Sequence, residues 1–258
     1  MSSRPVVLVT GAARRIGRAI ALDLAAHGYD IALHHHVSSP DVDSTLAELH
    51  AAGAHAQGFA ADLSDESACR ALLPAVAASF GRVDALVNNA SRFAYDDAAS
   101  FGHAAMEAHW RVNTAAPILL TQALHAHLVQ RGARGCAVNL LDQKLDNPNP
   151  DYLSYTLSKA ALRSATVMLA QALAPQLRVC AVSPGVTLLS GDMSEADFAA
   201  AHRLTPLQRS STPQDVAQAV RFLIEASAVT GTTLLVDGGQ HLSAQPRDVA
   251  FLVQPPTH

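Results

Sequence analysis

Short apolar runs rich in β-branched residues alternate along the chain with longer segments whose apolar side chains recur every three or four positions. The first run, Val-Val-Leu-Val-Thr at 6–10, is followed by Gly11 and then by Ile16, Ile20 and Leu24 at helical spacing, up to Gly28. Such runs predict buried strands, and the 3.6-residue rhythm predicts amphipathic helices packed against them. The same reading predicts a strand over 30–34, a Ser/Pro turn, a helix carrying Leu46 and Leu49, and a strand over 54–60 entered through Gly53. It continues with a helix over 67–80, a strand over 85–88, helical segments over 101–130, a strand over 136–141 and a helix from about 152. A strand over 178–183, a long insertion, a helix over 213–226 and a last strand over 233–237 complete the pattern.

Strands separated by helices pair in parallel, and such a sheet needs helices on both faces. The expected fold is α/β: a doubly wound, Rossmann-type domain with a mostly parallel sheet of about seven strands. No internal repeat or Gly/Ser-rich linker divides the chain, so 1–258 is expected to form a single dinucleotide-binding and catalytic domain. The Pro-Gly-rich stretch from Ser183 to Gly191 follows a strand end, where α/β sheets bind ligands, so 186–211 is expected to be a substrate lid.

Composition narrows the function classes. A chain of 258 residues with 49% hydrophobic and 16% charged residues can bury a sizeable core, which argues against disorder. A net charge of -4 gives no general attraction to nucleic acid or anionic lipid, so the expected partner is a small molecule. Cys69, Cys136 and Cys180 are odd in number and lack metal-ligand spacing, which points to reduced structural thiols and no metal site. The chain enters a strand soon after Met1 and has no apolar run of membrane-spanning length, so a cytoplasmic protein without a membrane partner is expected.

The chemistry-bearing stretch runs from Asn139-Leu-Leu-Asp142 to Tyr155-Thr-Leu-Ser-Lys159. Tyr155 and Lys159 share one helix face, and a cation one turn away is expected to favour the phenolate and lower the pKa of the tyrosine, making the pair an acid or a base. Tyr-x-x-x-Lys is common, and a solvated surface pair reads the same way. Thr10-Gly-Ala-Ala-Arg-Arg-Ile-Gly17 lies where the first strand turns into the first helix. Its glycines permit close approach of a diphosphate to helix N–H groups.

Five motifs occur in order: the Thr10 to Gly17 loop, Asn88-Asn-Ala-Ser91, Asn113, Asp142 ahead of Tyr155 and Lys159, and Pro184-Gly185. Together they resemble the short-chain dehydrogenase/reductase family over nearly the whole chain. The resemblance implies cofactor contacts from Gly11, Arg14, Arg15, Ile16, Gly17, His36, Ser38, Asp62, Leu63, Asn89, Ala90, Ser91, Tyr155, Lys159, Pro184 and Gly185. Asp62 would lie near the adenine, although an Asp-Leu-Ser helix start is equally an N-cap signal. The implied catalytic residues are Asp142, Tyr155, Lys159 and Asn113, with Lys159 tuning Tyr155 and holding the nicotinamide ribose, and Asn113 ordering a water that links Lys159 to solvent.

Three departures, Arg15 for the middle glycine, Ser91 for a glycine and Asp142 for a serine, resemble the pteridine reductase branch. That branch implies substrate contacts from Arg15, Ser91, Phe93, Asp142 and Tyr155, with Phe93 stacking on a flat ring; a core or lid aromatic is the plainer alternative for Phe93, and a capping carboxylate for Asp142. The residues after strand two, His34-His-His-Val-Ser38, carry no acid to repel a 2'-phosphate, so NADP (NADPH) is favoured over NAD. Pteridine reductases usually place an arginine where Val37 stands. The implied activity is an NADPH-dependent short-chain reductase acting on a pterin-like conjugated heterocycle, of dihydropteridine or dihydrofolate type. The alternatives are a reductase of alcohol or carbonyl substrates and a catalytically silent dinucleotide-binding module. The helix after Tyr155 is apolar nearly all round, which suggests a homo-oligomer, a tetramer by family resemblance. The proline-bearing tail, 240–258, is expected to wrap a neighbouring subunit or to fray.

Overall fold

The computed structural model describes residues 4–189 and 194–252. Residues 190–193 of the expected lid and 253–258 of the tail lie outside the described residues. The elements are β1 (Val6–Val9), α1 (Arg15–Ala26), β2 (Asp30–His35), α2 (Pro40–Ala51), β3 (Ala56–Ala60), α3 (Glu66–Phe80), β4 (Ala85–Asn88), α4 (His103–Trp110), α5 (Ala116–Gln130), β5 (Gly135–Leu140), α6 (Leu153–Ala172), β6 (Leu177–Pro184), α7 (Glu195–Arg203), α8 (Pro213–Glu225), β7 (Thr233–Val236) and a short α9 (Val249–Leu252). The seven strands form one sheet in the order β3-β2-β1-β4-β5-β6-β7, and every pairing is parallel.

Alternation along β1 sorts its side chains between two cores. Val7 and Val9 face one side with Ile20 and Leu24 of α1 and Val216 and Val220 of α8. Val6 and Leu8 face the other with Leu72 and Val76 of α3 and Leu120 and Leu124 of α5. These residues are fully buried or nearly so, and truncating one of the core leucines to alanine would cost roughly 2–5 kcal/mol. Both sheet faces are therefore covered, as the continuous apolar runs require.

Three boundaries differ from expectation for local reasons. The strand expected from 54 begins at Ala56, because Gly53 takes φ +78° and turns the chain out of α2. Over 101–130 the helix is interrupted by a π-helical turn, Arg111–Ala115. Pro117 lacks the N–H that would bond the Asn113 carbonyl four residues earlier, and a wider turn accommodates its ring. Before α3 the N-cap is Asp65, which accepts from Ser67 N, and not Asp62. No helix among the described residues is long and apolar enough to cross a membrane.

Candidate active site

The strand order reverses between β1 and β4, and a crevice opens beyond the carboxyl ends of those strands, where ligands bind in open α/β sheets. A cleft of about 1170 Å³ starts there and runs from His36 and Asp62 at one end to Tyr152 and Asp248 at the other. It is larger than the roughly 300–1,000 Å³ of a site for one drug-sized ligand, as a dinucleotide plus a substrate would require.

The glycine loop is held closed by its own chain. Thr10 Oγ1 accepts from Asn89 N (2.9 Å) and Ala90 N (3.0 Å), and Asn89 Nδ2 donates to the Thr10 carbonyl at 2.8 Å. At Gly17 a Cβ would stand 2.2 Å from the Gly11 carbonyl oxygen, so only glycine fits. At the start of α1, Arg14 makes no side-chain cap and the first turn holds no acid. That leaves backbone N–H groups and the positive helix end for an anion, which fits a dinucleotide diphosphate.

His34 braces this loop from β2. Gly11 N donates to His34 Nδ1 at 3.1 Å, so the proton must sit on Nε2, which donates to the Ala61 carbonyl at 3.0 Å. Burial holds this imidazole neutral and pushes its pKa from 6.5 down to about 4. The next imidazole but one, His36, points into the cleft 3.8 Å from Asp62 Oδ2, with Arg14 and Ser38 lining the same end. Asp62 also accepts from Ser64 N and Oγ at 2.8 Å, which lowers its pKa.

At the other end α6 delivers Tyr155, whose hydroxyl donates to Asp142 Oδ2 at 2.9 Å. Asp142 Oδ1 accepts from Lys144 N at 2.8 Å, so the carboxylate both caps the 3-10 turn Gln143–Asp146 and binds the phenol. Lys159 lies behind them, 3% exposed, and donates to the Leu140 carbonyl at 2.7 Å. Burial lowers its pKa from 10.5 to about 8. The expectation that Lys159 lowers the pKa of Tyr155 is overturned: burial, then the adjacent Asp142 carboxylate, push the phenol well above its ordinary value. Burial also raises Asp142. The resting pair therefore holds its proton, as an acid does.

Asn113 is buried in the π-turn with its amide already committed. Its Oδ1 accepts from Arg92 N (2.8 Å) and Ser91 Oγ (3.2 Å), and its Nδ2 donates to the Arg92 carbonyl (2.9 Å) and Ser158 Oγ (3.0 Å). These side-chain bonds tie the segment at Ser91 and Arg92 to α6.

The cleft brings together Gly11, Arg14, Arg15, Ile16, Gly17, His36, Ser38, Asp62, Leu63, Asn89, Ala90, Ser91, Phe93, Asp142, Tyr155 and Gly185. Asn113, Lys159 and Pro184 stand behind its lining. Arg15 adopts φ +54° and its Nη2 donates to the Leu189 carbonyl at 3.0 Å, joining the glycine loop to the expected lid. Phe93 is half exposed. One of its neighbours is Tyr152, stacked at 4.3 Å, and another is Tyr155, edge-on at 4.8 Å. A substrate ring would thus have to use the remaining face of Phe93 or displace Tyr152.

Sequence reasoning missed Lys144, Asp151, Tyr152, Arg247, Asp248 and Phe251. Rather than fraying, the described tail packs on its own chain's 144–152 region, where Arg247 Nε donates to both Asp151 oxygens at 3.0 and 2.8 Å. The apolar run Val249-Ala-Phe-Leu-Val253 within the mixed tail is the sequence signal for such packing.

A doubly wound sheet, a glycine cradle at the first strand end and a buried Tyr–Asp–Lys cluster across the cleft define a nucleotide-dependent oxidoreductase. Comparison with known proteins agrees. Residues 11–241 match the family model described as enoyl-(acyl carrier protein) reductase. Pteridine reductase 1 of Leishmania tarentolae is 35% identical over 280 residues, covering 93% of this chain and 97% of that protein. A protein of Streptomyces violaceoruber named as a ketoacyl reductase of the granaticin polyketide synthase is 36% identical, covering 92% and 96%. FolM alternative dihydrofolate reductase 1 from Brucella canis, solved with NADP, superposes with a TM-score of 0.89 at 38% identity, covering 95% of this chain and 96% of that one. The chain belongs to the short-chain dehydrogenase/reductase family, and is an oxidoreductase.

Proposed function

We propose that this chain is an NADPH-dependent reductase of a pterin-like conjugated heterocycle. The observation that carries the reading is the Asp142 carboxylate bonded to the Tyr155 hydroxyl, both with raised pKa. A serine in that place could only hydrogen-bond a carbonyl, whereas a carboxyl group can also protonate or bind a ring nitrogen. When bound, the nicotinamide supplies the hydride. Tyr155 and Asp142 hold the proton for the neighbouring heteroatom, and Lys159 places a buried cation behind them. Asn113 fixes Ser91 and Arg92, next to Phe93, against α6, and the open face of Phe93 suits a flat ring.

Gly11, Arg14, Ile16 and Gly17 would hold the diphosphate, and Asn89, Ala90, Tyr155, Lys159, Pro184 and Gly185 the nicotinamide half. Leu63 would lie with Asp62 at the adenine. Arg14, His36 and Ser38 would receive a 2'-phosphate, with Asp62 paired to His36, and the NADP in the Brucella FolM structure supports this choice. Residues 186–211 would close over the substrate, with the Arg15–Leu189 contact as one latch. Leu157, Val167 and Met168 are exposed on α6, which supports a homo-oligomer, a tetramer on the family pattern; sedimentation velocity at micromolar protein would give a monomer mass if that is wrong.

A second reading is a reductase of alcohols or carbonyl compounds, and the ketoacyl reductase relative favours it. A silent dinucleotide-binding module is disfavoured by the assembled Tyr155, Asp142 and Lys159. The test is turnover of NADPH and NADH with dihydrobiopterin, dihydrofolate and simple ketones. NADPH oxidation by the dihydropterins is expected. Oxidation by ketones alone would establish the second reading, and no substrate-dependent oxidation would establish the third.

A further inference from the structure

The tail joins the active site through a closed circuit of contacts. Tyr155 donates to Asp142 Oδ2, and Asp142 Oδ1 accepts from Lys144 N. Lys144, 4% exposed, sends its Nζ to Asp248 Oδ2 at 3.3 Å and to the Asp151 carbonyl. Asp248 N in turn donates to Asp151 Oδ2 at 2.7 Å, and Asp151 immediately precedes Tyr152 and the start of α6, which carries Tyr155. The circuit begins and ends on one helix. The charged links from Arg247 and Asp248 land on Lys144 and Asp151, in the short connection between the two proton-holding residues.

A second observation is independent of these charges. Phe251 lies nearly parallel to Tyr152 at 6.2 Å and meets Tyr95 edge-on at 5.6 Å, and Tyr152 stacks on Phe93. Tyr152 holds φ +54°, a conformation that L residues rarely keep unless neighbours impose it. The tail thus braces a strained residue three positions before Tyr155, and Arg247 and Asp248 both line the cleft.

We propose that Asp248 is a positioning residue for the Asp142–Tyr155 pair, and that residues 247–251 are a working part of the active site. The proposal rests on the reading of that pair as the proton carrier, whatever the substrate. The charged and titratable groups facing Asp142 are Tyr155 and Lys159 from α6, Lys144 from the 3-10 turn, and Asp248 from the tail. Asp248 is the one other carboxylate among them, and its charge raises both Asp142 and Tyr155.

The experiment uses the full chain with Asp248→Asn, Asp248→Glu and Phe251→Ala. Carboxyl 13C NMR of aspartate-labelled resting protein follows Asp142, assigned by the signal lost in Asp142→Asn, and needs no turnover, so it stands even if the pterin reading fails. In Asp248→Asn the Asp142 midpoint should move to lower pH, while kcat falls about tenfold and KM changes by less than about threefold, on the substrate turned over best. Asp248→Glu should restore both. An unmoved midpoint, a kcat within about twofold of wild type or no rescue by glutamate would overturn the proposal. If Asp248→Asn does not fold, Phe251→Ala decides, since it loosens the same segment without removing a charge: a lowered kcat supports the proposal and a wild-type kcat overturns it.

Discussion

The Tyr155 hydroxyl and Asp142 Oδ2 are 2.9 Å apart, while Lys159, one turn along α6, sends its ammonium to the Leu140 carbonyl instead. The phenol therefore answers to a carboxylate before it answers to a cation, and the pair is set to give a proton. Tyr155→Phe should lower kcat by about 10²–10⁴-fold with NADPH affinity little changed. Steady-state kinetics beside a fluorescence titration of NADPH will check this, and wild-type kcat would remove Tyr155 from the proton path.

The direction of the pH dependence follows. Tyr155 is raised well above its ordinary value and keeps its proton, Asp142 is raised by burial, and Lys159 carries its charge until about pH 8. Reductive kcat should be highest on the acid side and decline as pH rises through about 8, by loss of the Lys159 cation. A profile that climbs from pH 6 to 9 would contradict this.

His34 makes a separate prediction about stability. Its folded pKa of about 4 lies below the ordinary 6.5, so the unfolded chain takes up a proton that the folded chain refuses. That contribution is present above pH 6.5 and is lost as pH falls from 6.5 toward 4, and a shift of this size corresponds to about 3 kcal/mol. Urea denaturation at pH 7 and pH 5 should show the loss in wild type and a smaller one in His34→Gln. Equal losses in the two proteins would assign the acid sensitivity elsewhere.

Much of this was legible in the sequence, and the reasons differ by residue. β1, Gly11 and α1 follow from local pattern, because a buried strand, a left-handed glycine and an amphipathic helix each leave a periodic or compositional mark. Asp142, Tyr155 and Lys159 could be grouped because they lie close together in the chain. Asp248 and Phe251 could not, since Lys144 and Asp248 stand 104 positions apart and meet only through folding, and without that partner nothing marked Lys144 or Asp151 as more than loop residues. The direction of the Tyr155 shift also escaped, because spacing places Lys159 nearby but says nothing of burial or of where its Nζ points.

Gly17 is held to glycine by the Gly11 carbonyl, 2.2 Å from where a Cβ would sit. Gly17→Ala should weaken NADPH binding at least about tenfold, because the backbone that must shift is the anion cradle itself. Isothermal titration with NADPH measures it, and unchanged affinity would show that the loop does not hold the diphosphate.

Cofactor choice turns on the end of β2. His36→Ala should lower the NADPH-over-NADH ratio of kcat/KM by about tenfold, as expected for removal of one charge-assisted phosphate contact. A ratio unchanged in the variant would place the 2'-phosphate away from His36.

The most direct measurement compares wild type and Asp142→Ser for kcat/KM with dihydrobiopterin and with a simple ketone, NADPH in excess. If the carboxylate at 142 is what suits the site to a heterocycle, the serine variant loses dihydropterin turnover and shifts its preference toward the ketone. Dihydropterin turnover unchanged in Asp142→Ser would contradict it.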